Sequence, residues 1–309
     1  MKELRHTIQS FLVLSLLFVL TGNGAAQQKV QFTQYMFNGL VINPAYAGAD
    51  EALSLTFIQR SQWTGVEKAP STQTLTGHTL FRKKQVGLGL TLVNDRIGVH
   101  QNINALTSYA YHIRVGEKSY LSMGLQGGIK SFKSDYASLA SSSNNDPAIN
   151  SLILSKTYFD LAAGIYYRSP RLHIGISAPE LIPQSYTIND TLSIRLSKAN
   201  FFFFSKYKFT LSENYDLEPS VLIKYLDGVP LSYDVNLSMI YRKVLFLGFS
   251  YRKKESVDFI LKAQVTKQLQ IGYAYDYPIG VVSQLTNGSH ELMVNYLFRY
   301  VQKNVISPR

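Results

Sequence analysis

Residues Ser289 to Tyr300 read SHELMVNYLFRY. In an extended chain, His290, Leu292, Val294, Tyr296, Phe298 and Tyr300 fall on one side, and Glu291, Met293, Asn295, Leu297 and Arg299 on the other. One face is aliphatic and aromatic, the other mostly polar, and aromatics stand near both ends of the apolar face. A dozen residues rising about 3.3 Å each and tilted about 45° cross the roughly 25 Å apolar band of an outer membrane. The stretch therefore reads as the closing stave of a transmembrane barrel.

The pattern recurs upstream. In Val86–Val93 the residues Val86, Leu88, Leu90 and Leu92 alternate with Gly87, Gly89 and Thr91. In Ser119–Phe132, Leu121, Met123, Leu125 and Ile129 oppose Ser122, Gly124, Gln126 and Lys130, and in Leu231–Tyr241 the apolar set opposes Ser232, Asp234, Asn236 and Ser238. Fourteen such segments run from Ala52–Gln62 to Glu291–Tyr300. The expected fold is all-β, a transmembrane antiparallel β-barrel of about 14 strands with a short N-terminal non-strand segment. Closure is what the membrane demands, since backbone donors and acceptors in hydrocarbon must all be paired. A soluble sandwich or propeller is the competing architecture, and no fixed-period repeat supports the propeller.

Link lengths add a second signal. Trp63 to Ser71, Asn94 to Gln101, Lys133 to Thr157, Glu180 to Lys198 and Pro278 to Gly288 read as long connections. Between them lie short ones such as Arg82 to Gln85 and Arg168-Ser169-Pro170. Outer-membrane barrels have short periplasmic turns and longer outer loops, so the long links are expected outside the cell. Ala199–Leu211 reads as one strand, although Phe201 to Phe204 break its alternation.

Composition agrees. Hydrophobic residues make up 46% and charged residues only 17%, with 21 Tyr, 17 Phe and one Trp, a bias toward strands and membrane interfaces. There are no cysteines, which excludes disulfides and thiol chemistry. The net charge of +11 raises nucleic acid as a partner. The basic residues are scattered over turns and polar faces rather than gathered on one element, so no nucleic-acid partner is expected.

Lys2 and Arg5, the apolar run Phe11 to Leu20 and Gly24-Ala25-Ala26 have the layout of a signal peptide. Residues 1–26 are read as that peptide, 27–50 as a periplasmic or barrel-inserted segment, 51–300 as the barrel and 301–309 as a tail. The expected location is the cell outer membrane.

No strong catalytic motif is present. His78, His100, His112, His173 and His290 are far apart and form no HExxH spacing. Ser289-His290-Glu291 is the nearest thing to a hydrolase set, but neighbours in a strand point to opposite faces. No catalytic, cofactor or metal residues are assigned, and the protein is read as no enzyme. Gly87, Gly89, Gly124, Gly127 and Gly128 form no phosphate cradle; glycine in a barrel strand marks a bend or the close approach of an inserted segment. By alternation Arg60, His112, Arg114, Lys130, Asp160, Lys224 and Asp234 face the lumen, where they either brace the wall as a pairing network or serve selectivity or partner binding.

Gln31–Asp50, QFTQYMFNGLVINPAYAGAD, closely resembles the opening of the PorP/SprF family of type IX secretion membrane proteins. Further stretches resemble it in order: RSQWTGVEKAPSTQTL, VGLGLTLVNDRIG, TSYAYHIRV, LSMGLQGGI, DPAINS, HIGISAPEL and SHELMVNYLF. Tyr186 to Lys198 matches none. The resemblance implies a Bacteroidetes outer-membrane protein without enzymatic activity or cofactor. It implies a role in secreting or anchoring a cargo such as a large adhesin, together with type IX secretion or gliding-motility components. Expected partners are outer-membrane lipid and the cargo's C-terminal region. The motif-bearing segment lacks transmembrane alternation, and within it Gln34, Tyr35, Asn38, Asn43, Pro44, Tyr46 and Gly48 are the candidate structural or partner residues. Either they seat or seal the barrel, or Asn43, Pro44, Tyr46 and Gly48 only shape the turn into the first strand. A passive porin or transporter for a small or hydrophobic solute is the alternative function.

Overall fold

The computed structural model describes residues 31–136, 153–189, 192–197, 199–226 and 228–298. Three short 3-10 turns, Tyr35–Phe37, Gly39–Val41 and Pro44–Tyr46, precede the strands. The first seven strands are β1 (Leu53–Ser61), β2 (Ser71–Phe81), β3 (Val86–Ile97), β4 (His100–Arg114), β5 (Tyr120–Asp135), β6 (Ile153–Arg168) and β7 (Leu172–Glu180). A separate hairpin follows, β8 (Gln184–Asn189) and β9 (Leu192–Ser197). The wall resumes with β10 (Asn200–Tyr207), its continuation β11 (Phe209–Thr210), β12 (Tyr215–Leu226) and β13 (Ser232–Tyr241). It finishes with β14 (Leu245–Arg252), β15 (Ser256–Gln264), β16 (Leu269–Pro278) and β17 (Ser289–Phe298).

Each strand pairs antiparallel with its sequence neighbours around the wall, β7 with β10 and β10 with β12. β17 pairs with β1, from Leu53 opposite Phe298 to Ser61 opposite His290. With β10 and β11 counted as one stave, the barrel closes with 14 strands. The last strand, which set the reading of the whole chain, is therefore the seam partner of the first.

The two faces separate as the alternation requires. Leu125, Ile129, Phe159, Leu237, Phe249 and Leu292 project outward, and Leu125 is 65% exposed. Their opposite-parity neighbours, among them Ser122, Lys130, Asp160, Asn236 and Glu291, are buried inside. Tyr225, Tyr233, Tyr251 and Tyr277 lie toward the long-link end of the outer face, and Tyr207, Tyr215, Tyr241 and Tyr296 toward the short-turn end. These two girdles bracket an apolar belt as in other membrane barrels. Among the described residues no helix is long and apolar enough to cross a membrane.

Several boundaries differ from the sequence expectation. Asn94 to Gln101 is not a long link, because β3 and β4 run on until only Gly98-Val99 separates them. Asn94, Asp95 and Arg96 read as loop because they are polar, but beyond the lipid belt both faces of a strand meet water. For the same reason Lys133 to Asp135 belong to β5 and Ile153 to Thr157 to β6. Glu180 to Lys198 holds a hairpin, and the strand expected at Ala199–Leu211 breaks at Lys208. Arg114 is exposed, bonding Gly116 and Glu117 carbonyls at a turn, because its strand has passed the rim of the lumen. Arg299, Tyr300, the tail, residues 1–30 and the DPAINS stretch lie outside the described residues.

The long links are tied to one another. Thr64 N donates to Gly288 O at 2.8 Å, Asn287 N to Thr64 O at 3.0 Å and Gly98 N to Lys68 O at 3.0 Å.

Candidate functional site: the lumen and its inserted segment

The segment from Gln31 to Asp50 lies inside the barrel. Its own backbone pairing is local, in three 3-10 turns, which leaves side chains and unpaired peptide groups to bind the wall. It starts near the long-link end and finishes near the short-turn end.

The upper anchorage is ionic. Both oxygens of Glu291 accept backbone N–H groups of the segment, Thr33 N at 2.9 Å and Gln34 N at 2.8 Å. Gln34 Nε2 also donates to the Glu291 carbonyl at 3.1 Å. Thr33 Oγ1 donates to Asp276 at 2.8 Å and accepts from Arg60 at 2.9 Å and Arg252 at 3.2 Å. Arg60 bridges the acids, to Asp276 at 2.6 Å and to Glu291 at 3.1 Å. Arg60, Asp276 and Glu291 are all nearly inaccessible to solvent. Charges so buried are tolerable only when paired, and the segment's peptide groups add two bonds to that pairing, while Arg60 Nε stays without a hydrogen-bond partner. Lys224 Nζ stands 3.4 Å from Gln31 Oε1 and 3.2 Å from Asp234.

The middle is aromatic. Tyr35 is buried with its hydroxyl accepting from Asn236 Nδ2 at 2.5 Å and its ring edge-on to Phe204. Phe37 packs edge-on against Phe246 at 4.5 Å, and the Lys262 ammonium lies 4.0 Å from the centre of the Phe37 ring. Asn38 Oδ1 accepts from Thr76 at 3.1 Å.

The lower part interlocks with glycines. Asn43 Nδ2 donates to Ile165 O at 3.0 Å and Ile176 O at 3.2 Å, while its Oδ1 caps Ala45 N at 2.9 Å. Pro44 opens that last turn, where its missing N–H costs nothing. Ala45 and Ala47 are wholly buried. A Cβ at Gly124 would fall on the Ala45 backbone, and one at Gly87 on the Ala47 carbonyl. Gly164 and Gly272 leave the same room for Asn43 and Gln34. Gly89 adjoins Leu40, whereas Gly127 and Gly128 face neighbouring strands instead of the segment.

Two histidines finish the seat. His112 Nε2 donates to Ala47 O at 2.7 Å while Nδ1 accepts from Ser122 at 2.7 Å. Gly48, at φ 84° where a side chain would be strained, donates N–H to His78 Nδ1 at 3.0 Å. The other His78 nitrogen faces Asp50 at 3.4 Å, and Tyr46 OH donates to Asp50 at 2.8 Å.

All seven candidate residues of the segment thus face the lumen or its wall. Of the charges read from alternation, Arg60, His112, Lys130, Asp160 and Asp234 are buried inside, Lys224 is partly so, and only Arg114 leaves the set. Lys130 forms its own cluster with Asp160 at 2.6 Å and Glu180 at 2.7 Å. Sequence reading missed Asp276, Arg252, Gly164, Gly272 and the partnership of Glu291 with Arg60. A signal existed, since each has lumen parity on its strand. Ser289 Oγ accepts from Trp63 N and His290 meets Tyr273 OH, so the two diverge as strand neighbours must. Among the described residues no cluster of His, Asp and Glu could hold a metal ion.

The solved structures this chain resembles are membrane barrels. The monoaromatic hydrocarbon channel CymD superposes with a TM-score of 0.52 at 12% identity, covering 85% of this chain and 93% of that one. The outer membrane protein Omp33 of Acinetobacter baumannii gives 0.48 at 7% identity, over 80% and 98%. The P. putida toluene transporter TodX gives 0.47 at 10%, over 85% and 94%. At such identities the likeness to CymD concerns the fold alone. No curated protein matches the sequence. The family model for the type IX secretion system membrane protein PorP/SprF matches residues 24–296, and the chain belongs to that family.

Proposed function

We propose that the protein is a non-enzymatic outer-membrane barrel, plugged by its own N-terminal segment, that assists type IX secretion or surface anchoring of an exported protein such as an adhesin. The observation that carries this reading is the inserted segment. It runs from Thr33 at Glu291 and Asp276 down to Gly48 at His78, occupying the bore a solute would use. A segment tied to both ends of the lumen obstructs passive diffusion of a solute through it. A barrel that presents loops to a protein gains a rigid wall and a sealed membrane. The outer ends of the long links, tied together through Thr64, Gly288, Lys68 and Gly98, offer such a partner a shaped surface, and the C-terminal region of the exported protein is the proposed partner. Family membership supports the export role.

The short turns are assigned to the periplasm and the long links to the cell exterior. Export is assigned to a signal peptide over residues 1–26, in a Bacteroidetes cell and in the setting of gliding motility. The test is a deletion strain scored for the surface amount of the candidate cargo. The reading expects cargo to be lost from the surface and restored by the intact gene. Unchanged surface cargo, with altered uptake of small solutes instead, would overturn it in favour of a transporter.

A further inference from the structure

The charge of the chain is not shared between the two ends of the barrel. The six short connections, residues 82–85, 115–119, 169–171, 208–214, 242–244 and 265–268, hold nine Lys or Arg and two Glu. The seven connections at the opposite end, long and short, hold five of each sign in the sequence. The six short connections therefore carry an excess of seven positive charges, of which Arg82 is matched by Glu51 at 3.4 Å, and the opposite connections none. Arg242 and Lys243 sit at the tip of their turn with φ of 49° and 57°, a conformation non-glycine side chains avoid. A turn that merely reversed the chain would place Gly or Asn there.

The same end of the barrel is hollow. Beneath the inserted segment lies a cavity of about 300 Å³, with Met36 and Phe37 in its wall, and a second of about 240 Å³ shares Glu218, Ile240, Phe246 and Lys262 with it. Glu218 is matched by Lys206 at 3.2 Å. Lys208, Lys243 and Lys262 also line these hollows and make no salt bridge among the described residues; besides Glu218, the carboxylates there are Asp50 and Asp216. Lys262 rests on the Phe37 ring rather than in a salt bridge.

We propose that the short-turn mouth is a docking site for an acidic segment of a protein on that side of the membrane, whose Asp and Glu side chains enter the hollow and meet Lys208, Lys243 and Lys262. Anionic lipid headgroups would also be drawn to a basic rim, but the hollow lies within the ring of strands, where lipid does not reach, and a polypeptide chain does. Complementary charge of this kind steers encounter and selects the partner. Because Lys262 contacts Phe37, an occupant that takes Lys262 acts directly on the inserted segment. This inference draws on the proposed function only for naming the side of the membrane. Its test uses the isolated protein and does not depend on cargo display.

The experiment measures binding of a fluorescent hexaglutamate peptide, with hexaglutamine as control, to the purified full-length barrel in zwitterionic detergent. Hexaglutamate should bind and hexaglutamine should not, and added salt should weaken the binding by screening. The triple variant Lys208→Gln, Lys243→Gln, Lys262→Gln should lose about tenfold or more in affinity. The long-link triple Lys68→Gln, Lys253→Gln, Lys254→Gln should bind as the native protein does. Should the Lys262 change prevent folding, the double variant at Lys208 and Lys243 carries the test. Absence of hexaglutamate binding, equal binding of hexaglutamine, or equal loss in the two triples would overturn the proposal. So would binding abolished by nanodiscs containing phosphatidylglycerol, which would identify headgroups as the occupant.

Discussion

At the scale of single residues, the buried charges of the wall are bonded both to one another and to the N-terminal segment. Glu291 is the hinge of that arrangement, accepting from Arg60, Thr33 N and Gln34 N. Glu291→Ala leaves Arg60 with Asp276 as its one carboxylate and strips two peptide N–H groups of their acceptor. Breaking one side of a buried pair costs about 3–5 kcal/mol, and urea unfolding in lipid vesicles should register a loss of that order. The double change Arg60→Met with Glu291→Met should cost distinctly less than the two single losses added. Strict additivity would show that the pair is not coupled. Gly124→Val tests the interlock lower down. Its side chain would strike the Ala45 backbone, and overpacking of this kind costs about 1–3 kcal/mol. Gly127→Val, facing Phe159 rather than the segment, should leave protease protection of the N-terminal segment unchanged, whereas Gly124→Val should reduce it.

At the scale of the element, each strand is a two-sided object and the sides tolerate different chemistry. Leu125→Arg places a charge in mid-belt lipid and should cost roughly 2–4 kcal/mol. The same change at Val66, in a link outside the belt, should stay within about 0.5 kcal/mol. Equal losses would mean the outward face had been misassigned. These faces were legible in the chain because alternation is a local property: Leu121 against Ser122, or Leu292 against Glu291, can be read without knowing any partner. The polar ends of β3 to β6 were not legible, because above the belt a strand and a loop have the same composition. Nor was the seat of the N-terminal segment. Asn43 finds its acceptors at Ile165 and Ile176, and Thr33 finds Asp276. Pairings that distant leave no periodic trace. What the sequence did hold was their complement, glycines at lumen positions of strands otherwise rich in larger residues.

The molecule as a whole is a closed wall around its own leading segment, with neutral outer links and a basic set of short turns. The segment, not the loops, fills the bore. Single-molecule conductance in planar bilayers tests this directly, comparing the native protein with one lacking residues Gln34–Gly48. The native barrel should insert without a lasting conductance step, and the deleted form, once shown to fold and insert, should give discrete open-pore steps. A native protein that conducted as steadily as the deleted one would contradict the account.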